Sequence, residues 1–327
     1  MSRLGIVAIG RNEGERLERC LRSLAGPARV IVYVDSGSTD GSVAFARAQG
    51  CAVVELDPAQ PFSAARARNE GLRRLLELEP GAELVQFVDG DCELAAGWLE
   101  AATAALRADA TLAVVCGRRR ERHPEASLYN RLCDLEWDTP VGEALACGGD
   151  FLARAAALAQ VGGFDARVVA GEEPELCLRL RRAGWRIRRI AAEMTLHDAA
   201  ILRFGQWWRR MIRSGHAYAQ ASALHGTFCL RENASILVWS VGSPLAALAL
   251  AAPTHGLSLG RVLLYPLQVA RIARRERRRT RSAADAWASA ALTVLGKWPQ
   301  HLGQWKYALA RRGAGPRLIE YKGAGAR

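Results

Sequence analysis

Lysine is almost missing from this chain. Only Lys297, Lys306 and Lys322 occur, so nearly all of the positive charge is arginine. No C-x-x-C pair links any of the eight cysteines, which argues against a zinc site or a disulfide framework. Cys51, Cys92, Cys116 and Cys147 sit in apolar or strand-end surroundings, where a thiol behaves as a small hydrophobe. The loops after the first two apolar runs hold neither G-x-G-x-x-G nor G-x-x-x-x-G-K-[ST], so a dinucleotide fold or a P-loop is not supported. No zinc-finger or RNP-type motif appears. The apolar stretch Leu4–Ile9 is too short for a signal peptide, and charges follow at once. The expectation is a catalytic part on the cytoplasmic side.

What is there is a chain of 327 residues, half hydrophobic, with a formal charge of +12. That length allows one large domain with an appendage, or two domains, and the composition is not that of a disordered protein. The basic surplus favours anionic partners: nucleotide phosphates, an acidic membrane surface or nucleic acid.

The stretch Leu84-Val85-Gln86-Phe87-Val88-Asp89-Gly90-Asp91-Cys92 organises the rest. Its first half reads as a buried strand. Two carboxylates separated by one glycine then fall at the carboxyl edge, where open α/β sheets bind ligands. Gly90 allows a turn and a close approach. Hard oxygen donors there suit Mg²⁺ or Mn²⁺ held partly by substrate phosphates. The same residues also read as a strand ending in a polar turn, since Asp-Gly is a common turn pair.

Strand and helix patterns alternate before and after this stretch. Strands are expected at 4–9, 29–34, 51–56 and 111–117, and helices at 16–25, 43–49, 62–78 and 95–108. The alternation argues for a doubly wound, mainly parallel sheet. Loops after the first two strands offer Asn12, Glu13, Asp35, Ser36 and Asp40. Carboxylates at such edges suit a base or ribose hydroxyl, although Asp40 also reads as a helix cap. Arg66, Arg68 and Asn69 lie early in a helix where a phosphate could be held, arginine being suited to phosphate by its planar fork. An exposed helix face is the alternative.

Four motifs stand in order: Ala8-Ile9-Gly10-Arg11-Asn12-Glu13, Val34-Asp35-Ser36-Gly37-Ser38-Thr39-Asp40-Gly41-Ser42, Ala67-Arg68-Asn69-Glu70-Gly71 and Phe87-Val88-Asp89-Gly90-Asp91. Together they resemble the family 2 glycosyltransferases of GT-A fold. The resemblance implies that the first two motifs grip the nucleotide. It implies that the D-x-D holds a divalent cation bridging the diphosphate of a nucleotide sugar, most readily a UDP- or GDP-sugar. Cys147-Gly148-Gly149-Asp150 resembles the start of the family's acceptor half, with Asp150 beside the transferred sugar. Gly171-Glu172-Glu173-Pro174-Glu175-Leu176, ending in Gly184-Trp185, resembles the family's catalytic helix. Glu173 stands where Asp is commoner, and the resemblance makes it the base that deprotonates the acceptor, with Glu172 orienting a ligand or loop. These two glutamates precede a helix whose first residue could be Pro174, and a helix N-terminus favours ionised carboxylates. The family also places a metal-binding histidine beyond that helix, which points to His197 alongside Asp89 and Asp91.

Residues 1–200 thus read as the catalytic domain and 201–327 as a helical C-terminal region. Phe204, Trp207, Trp208, Met211 and Ile212 alternate with arginines, a pattern suited to a membrane interface, an acceptor groove or ordinary packing. Ala234–Ala252 carries no charge, and Leu257–Ala270 only Arg261. A membrane hairpin at about 234–273, a re-entrant or interfacial helix pair, and a buried helical subdomain all fit this pattern. Arg271, Arg274, Arg275, Arg277, Arg278, Arg279 and Arg281 follow, and basic clusters stay on the cytoplasmic side. Further helices are expected at 287–295 and 304–309, and the tail 318–322 resembles membrane-associated family members.

The expected activity is metal-dependent, inverting sugar transfer to a hydroxyl of a lipid-linked or glycan acceptor at the cytoplasmic membrane, as in exopolysaccharide assembly, without nucleic acid as partner. Two other readings are a sugar nucleotidyltransferase, which leaves Glu173 without an evident use, and a basic nucleic-acid or membrane-binding protein.

Overall fold

The computed structural model describes residues 3–26, 30–278, 280 and 282–312. Two compact units emerge. The first comprises the chain to His123 and Glu136–Ala199, the second Pro124–Leu135 and the chain from Ala200 onward.

The first unit runs β1 (Leu4–Gly10), α1 (Glu15–Leu24), β2 (Val30–Asp35), α2 (Ser42–Ala48), β3 (Ala52–Glu55), α3 (Ala64–Leu78), β4 (Leu84–Asp89), β5 (Cys92–Leu94), α4 (Trp98–Ala108) and β6 (Leu112–Glu121). It resumes after α5 (Leu128–Trp137) with β7 (Gly142–Glu143), β8 (Phe151–Arg154), α6 (Ala155–Gln160), α7 (Glu172–Arg182) and β9 (Arg186–His197). The spatial strand order is β3-β2-β1-β4-β8-β6-β9-β5, with β7 paired to β9. β1, β2, β3 and β4 are parallel, joined by crossover helices as their apolar runs require. β8 lies antiparallel to both β4 and β6, and β5 and β7 lie antiparallel to β9. β6 runs parallel to β9, so the sheet is mixed: its longer ladders are parallel, as expected, and the short strands β5, β7 and β8 add antiparallel pairings. β8 is only four residues long, too short to stand out in the sequence.

The core is the sheet's apolar interior. Ile6, Val7, Val32, Val34, Val85, Phe87, Val114 and Phe151 are buried on the strands, and Leu17, Leu21 and Leu75 come from the helices against them. The chain switches sides between β1 and β4. β2 and β3 extend from one flank of β1, and β4 sits on the other. Open α/β sheets bind ligands at the carboxyl ends beside such a switch. Asn12 follows β1 there, and Asp89 ends β4.

The second unit is helical: α8 (Phe204–His225), α9 (Leu230–Leu237), α10 (Ser243–Ala249), α11 (Leu264–Glu276), α12 (Ala283–Leu295) and α13 (Lys297–Ala310). Among the described residues no helix is long and apolar enough to cross a membrane. The uncharged stretch at 234–252 continues the helical run of α9 through a π-helical turn at Val238–Gly242 into α10, with helical backbone at both junctions, and Pro244 stands in the first turn of α10. The returning arm begins as a 3₁₀ segment, Leu257–Leu263, before α11. Arg279, Arg281 and the tail 318–322 lie outside the described residues.

Candidate active site

The loops after β1 and β2 hold each other in place. Asn12 adopts the left-handed backbone region at φ 53°, which asparagine tolerates better than most residues. Its N–H donates to Ser38 Oγ at 2.9 Å, and its Oδ1 accepts from Thr39 N at 2.7 Å. Asp40 accepts from Gly14 N at 3.1 Å and from Ser42 N at 2.9 Å. Asp35 is buried and accepts from Tyr33 Oη at 3.0 Å, Gly37 N at 2.9 Å and Ser38 N at 2.8 Å. Burial, with Asp35 beside it, pushes the Tyr33 phenol well above its ordinary pKa. Asp40 thus closes the turn before α2 and ties it to the β1 loop. Glu13 pairs with Arg16 at 2.9 Å and is half-buried with Ser36 at the rim of this cradle.

The next layer is built around Arg68 on α3, whose side chain is 2% exposed. Its Nη2 donates to Asp89 Oδ1 at 2.7 Å and its Nη1 to Glu172 Oε1 at 2.7 Å, while Glu173 Oε1 lies 3.6 Å away. The third motif, the D-x-D and the catalytic-helix glutamates therefore meet on one guanidinium. Arg68 does not face outward to a phosphate, as expected from the sequence. It is a positioning residue, since a buried arginine needs carboxylate partners. Its neighbours in the motif are structural. Arg66 donates to the carbonyls of Asp57 and Gln60, and Asn69 exchanges hydrogen bonds with the backbone of Phe164.

Asp150 is fully buried behind Asp89. Its Oδ1 accepts from Asp89 N at 2.9 Å, and its Oδ2 accepts from Thr195 Oγ1 at 2.7 Å and pairs with Arg119 Nη2 at 2.7 Å. Burial pushes its pKa up, but Arg119 and the two hydrogen bonds outweigh this and hold it below the usual carboxylate range. Asp150, expected beside the transferred sugar, is sealed from the surface by these partners. It braces the end of β4.

Gly149 is where this packing needs glycine, because a Cβ there would overlap Asp89 Oδ2 and meet Arg68 Nη2 at 3.0 Å. Gly90 is required for close approach, since a Cβ would stand 3.0 Å from Ile9 O, the carbonyl to which its own N–H donates at 2.7 Å.

Asp91 and His197 meet across the β5–β9 pairing, with His197 Nε2 3.4 Å from Asp91 Oδ2. Both are nearly buried. Cys92 lies in the same donor group, but burial raises its thiol well above the ordinary value, leaving it a poor ligand. Asp89 belongs to a separate group with Cys92 and Asp150, and it carries Arg68 and Arg119 on its two oxygens. The expected trio of Asp89, Asp91 and His197 is thus divided: Asp91 and His197 converge, and Asp89 adjoins them through the arginine pair.

Three contributors were not legible in the sequence. Glu121 Oε2 sits 3.8 Å from His197 Nδ1 and accepts from Ala199 N at 3.0 Å. Trp137 meets the His197 ring edge-on at 4.6 Å between centroids. Arg119, stacked over Trp137 at 5.5 Å, pairs with Asp150. Arg118, Arg119 and Arg120 would alternate faces in a regular strand, but β6 shifts register on both sides of Arg118.

α7 begins at Glu172, capped by Gly171 at φ 78°, so Pro174 is its third residue and not its first. Glu172 and Glu173 therefore occupy the first turn, where the unpaired N–H groups favour carboxylates. Glu173 is nonetheless pushed up to about 7, chiefly by burial and by the neighbouring Glu172, with Arg68 opposing. A carboxylate of that pKa at a sheet edge is suited to general-base work near neutrality.

Residues 6–140 match the family described as Glycosyl transferase family 2. The chain is 30% identical over 307 residues to the pre-mycofactocin glycosyltransferase of two Mycobacterium tuberculosis strains, CDC 1551 / Oshkosh and ATCC 25618 / H37Rv. That similarity covers 88% of this chain and 60% of the relatives. Among solved structures, the fold resembles the mannosyltransferase PcManGT from Pyrobaculum calidifontis, solved with GDP-Man and Mn²⁺, at a TM-score of 0.58 and 22% identity, covering 90% of this chain and 87% of that one. It also resembles S. aureus TarS 1-349 at a TM-score of 0.51 and 15% identity, covering 92% of each chain. Residues 6–140 are thus a glycosyl transferase family 2 domain, on a mixed α/β sheet consistent with the GT-A fold.

Proposed function

We propose that this chain transfers a sugar from a UDP- or GDP-sugar to a hydroxyl of a lipid-linked or glycan acceptor, with inversion at the anomeric carbon, at the cytoplasmic face of the membrane. The observation that carries this reading is Glu173. It combines a pKa raised to about 7 with a place in the first turn of α7, linked through Arg68 to Asp89 at the end of β4. A nucleotidyltransferase gives no role to such a base.

In this reading Asn12, Glu13, Asp35, Ser36 and Asp40 form the cradle for base and ribose. The donor set of Asp91 and His197 fits a divalent cation: a carboxylate and an imidazole converge, and the buried Nδ1 of His197 makes no hydrogen bond among the described residues and faces Glu121. Asp91 and His197 would hold Mn²⁺ or Mg²⁺ with Asp89 alongside, and the ion when bound supplies positive charge for the departing diphosphate. Glu173 accepts the acceptor's hydroxyl proton as the acceptor oxygen bonds to C1. The C1–oxygen bond to the diphosphate breaks with its electron pair on the phosphate oxygen. One displacement of this kind inverts the anomeric centre. Arg68 keeps Asp89 and Glu172 fixed while Glu173 takes the proton, so the site reorganises little.

The test is Glu173→Gln in the full chain, with transfer from UDP- and GDP-sugars measured beside nucleotide binding. Turnover is expected to fall at least 100-fold with binding retained. Unchanged turnover would contradict the assignment.

A further inference from the structure

The two arms of the helical hairpin in the second unit are held together by polar contacts on their inner side. Tyr265 Oη donates to Trp239 O at 2.7 Å, and Ser258 Oγ donates to Ala247 O at 2.7 Å. The Trp239 and Tyr265 rings also meet edge-on at 5.5 Å. The outer side is apolar and bare. Leu257 is 84% exposed, and Leu245, Leu248, Val262, Leu263 and Leu267 are each more than half exposed. A cluster of this size on a folded surface marks an interaction site.

Charge along the hairpin is polarised. No acidic residue occurs between Glu232 and Glu276. α11 starts with exposed Leu264 and Leu267 and ends with exposed Arg271, Arg274 and Arg275, followed by exposed Arg277 and Arg278. At 1.5 Å per residue, Leu267 and Arg274 are about 10 Å apart along the helix axis. That spacing suits leucines at the acyl boundary with guanidiniums at the phosphates, since an interfacial helix sinks about 5–10 Å. Arg261, exposed at the tip, suits shallow insertion because its guanidinium can reach back to the headgroups. That no helix among the described residues is long and apolar enough to cross a membrane argues for lying in the surface over crossing it.

We propose that this hairpin is an interfacial anchor for an anionic lipid bilayer: the tip around Leu248, Leu257 and Leu263 enters the acyl boundary, and Arg271, Arg274, Arg277 and Arg278 bind lipid phosphates. This deepens the membrane placement proposed above and does not depend on sugar transfer. A second copy of this chain would bury the same leucines, but it offers no anionic counterpart to the arginines on this hairpin.

The test is sedimentation of the full chain with phosphatidylcholine vesicles, with and without 30% phosphatidylglycerol, while UDP and GDP binding is followed in the same samples. Binding is expected only with the anionic lipid and is expected to weaken steeply with salt. Leu257→Glu with Leu263→Glu is expected to lower it at least tenfold. Arg274→Glu with Arg277→Glu is expected to do the same, with nucleotide binding unchanged in both. Equal or no binding to the two vesicle types would overturn the proposal for the wild-type chain, whatever the variants do. So would protein that stays in the vesicles after alkaline carbonate washing, which indicates a span. A dimer abolished by the leucine substitutions, without vesicle binding, would assign the face to a second copy instead.

Discussion

Arg68 Nη2 donates to Asp89 Oδ1 at 2.7 Å, joining α3 to the end of β4 inside the protein. The same guanidinium holds Glu172, so the two sheet-edge carboxylates are fixed relative to each other by one cation. Burial alone would pull the Arg68 pKa down, but Asp89, Glu173 and Glu172 more than offset it and keep the group charged.

Removing that cation leaves buried carboxylates uncompensated. Arg68→Ala is therefore expected to cost about 3–5 kcal/mol of stability, measured by urea unfolding, with Arg68→Lys losing less. A loss under about 1 kcal/mol would show the network to be solvated, contrary to the burial described above.

The pH profile of kcat/KM follows from Glu173. Its ionised form is the active base, so activity is expected to rise with pH through an acid limb near 7. Glu172 raises that value by charge repulsion. Glu172→Gln is then expected to move the limb to lower pH, the opposite of what simple loss of structure would do. A limb that stays in place in this variant would remove Glu172 as the cause.

Stability carries the opposite sign. Because Glu173 binds its proton more tightly folded than unfolded, its contribution is intact below about pH 4.5 and is lost as pH rises to about 7. The shift corresponds to a penalty on the order of 3 kcal/mol above that window. Glu173→Gln is expected to be more stable than the parent at pH 8 and equal to it near pH 4.5 in denaturant titrations. Equal stability at both pH values would mean that the carboxylate is not strained by its site.

Much of this arrangement could be read from the sequence, and the failures have identifiable causes. The apolar runs at 4–9 and 84–88 gave β1 and β4 because buried parallel strands are continuously hydrophobic. The four motifs located Asn12, Asp35, Arg68 and Asp89 at one sheet edge. What chain order could not show was direction. Arg68 points inward because Asp89 and Glu172 wait there, and Asp150 is sealed by Arg119 and Thr195, partners 31 and 45 residues away in the sequence. Arg119 itself was hidden by irregular register in β6. At 234–252, hydropathy does not encode the π turn that lies within the helical run.

Gly149 tests the packing at Asp89. A methyl group there has to displace the Asp89 carboxylate or the Arg68 guanidinium. Gly149→Ala is expected to cost about 1–3 kcal/mol and to weaken metal-dependent nucleotide binding. Wild-type stability and binding in this variant would show that the loop before β8 yields freely.

This sheet edge is expected to hold a nucleoside diphosphate together with a divalent cation. The most direct measurement is calorimetric titration of the full chain with UDP and GDP, with Mn²⁺ or with EDTA, beside Asp91→Ala and Glu121→Gln. One nucleotide is expected to bind only with the metal, at least tenfold more weakly in Asp91→Ala, and with an intermediate loss in Glu121→Gln through His197. Folded protein that binds neither nucleotide, or binds equally well in EDTA and with Asp91 removed, would contradict the account.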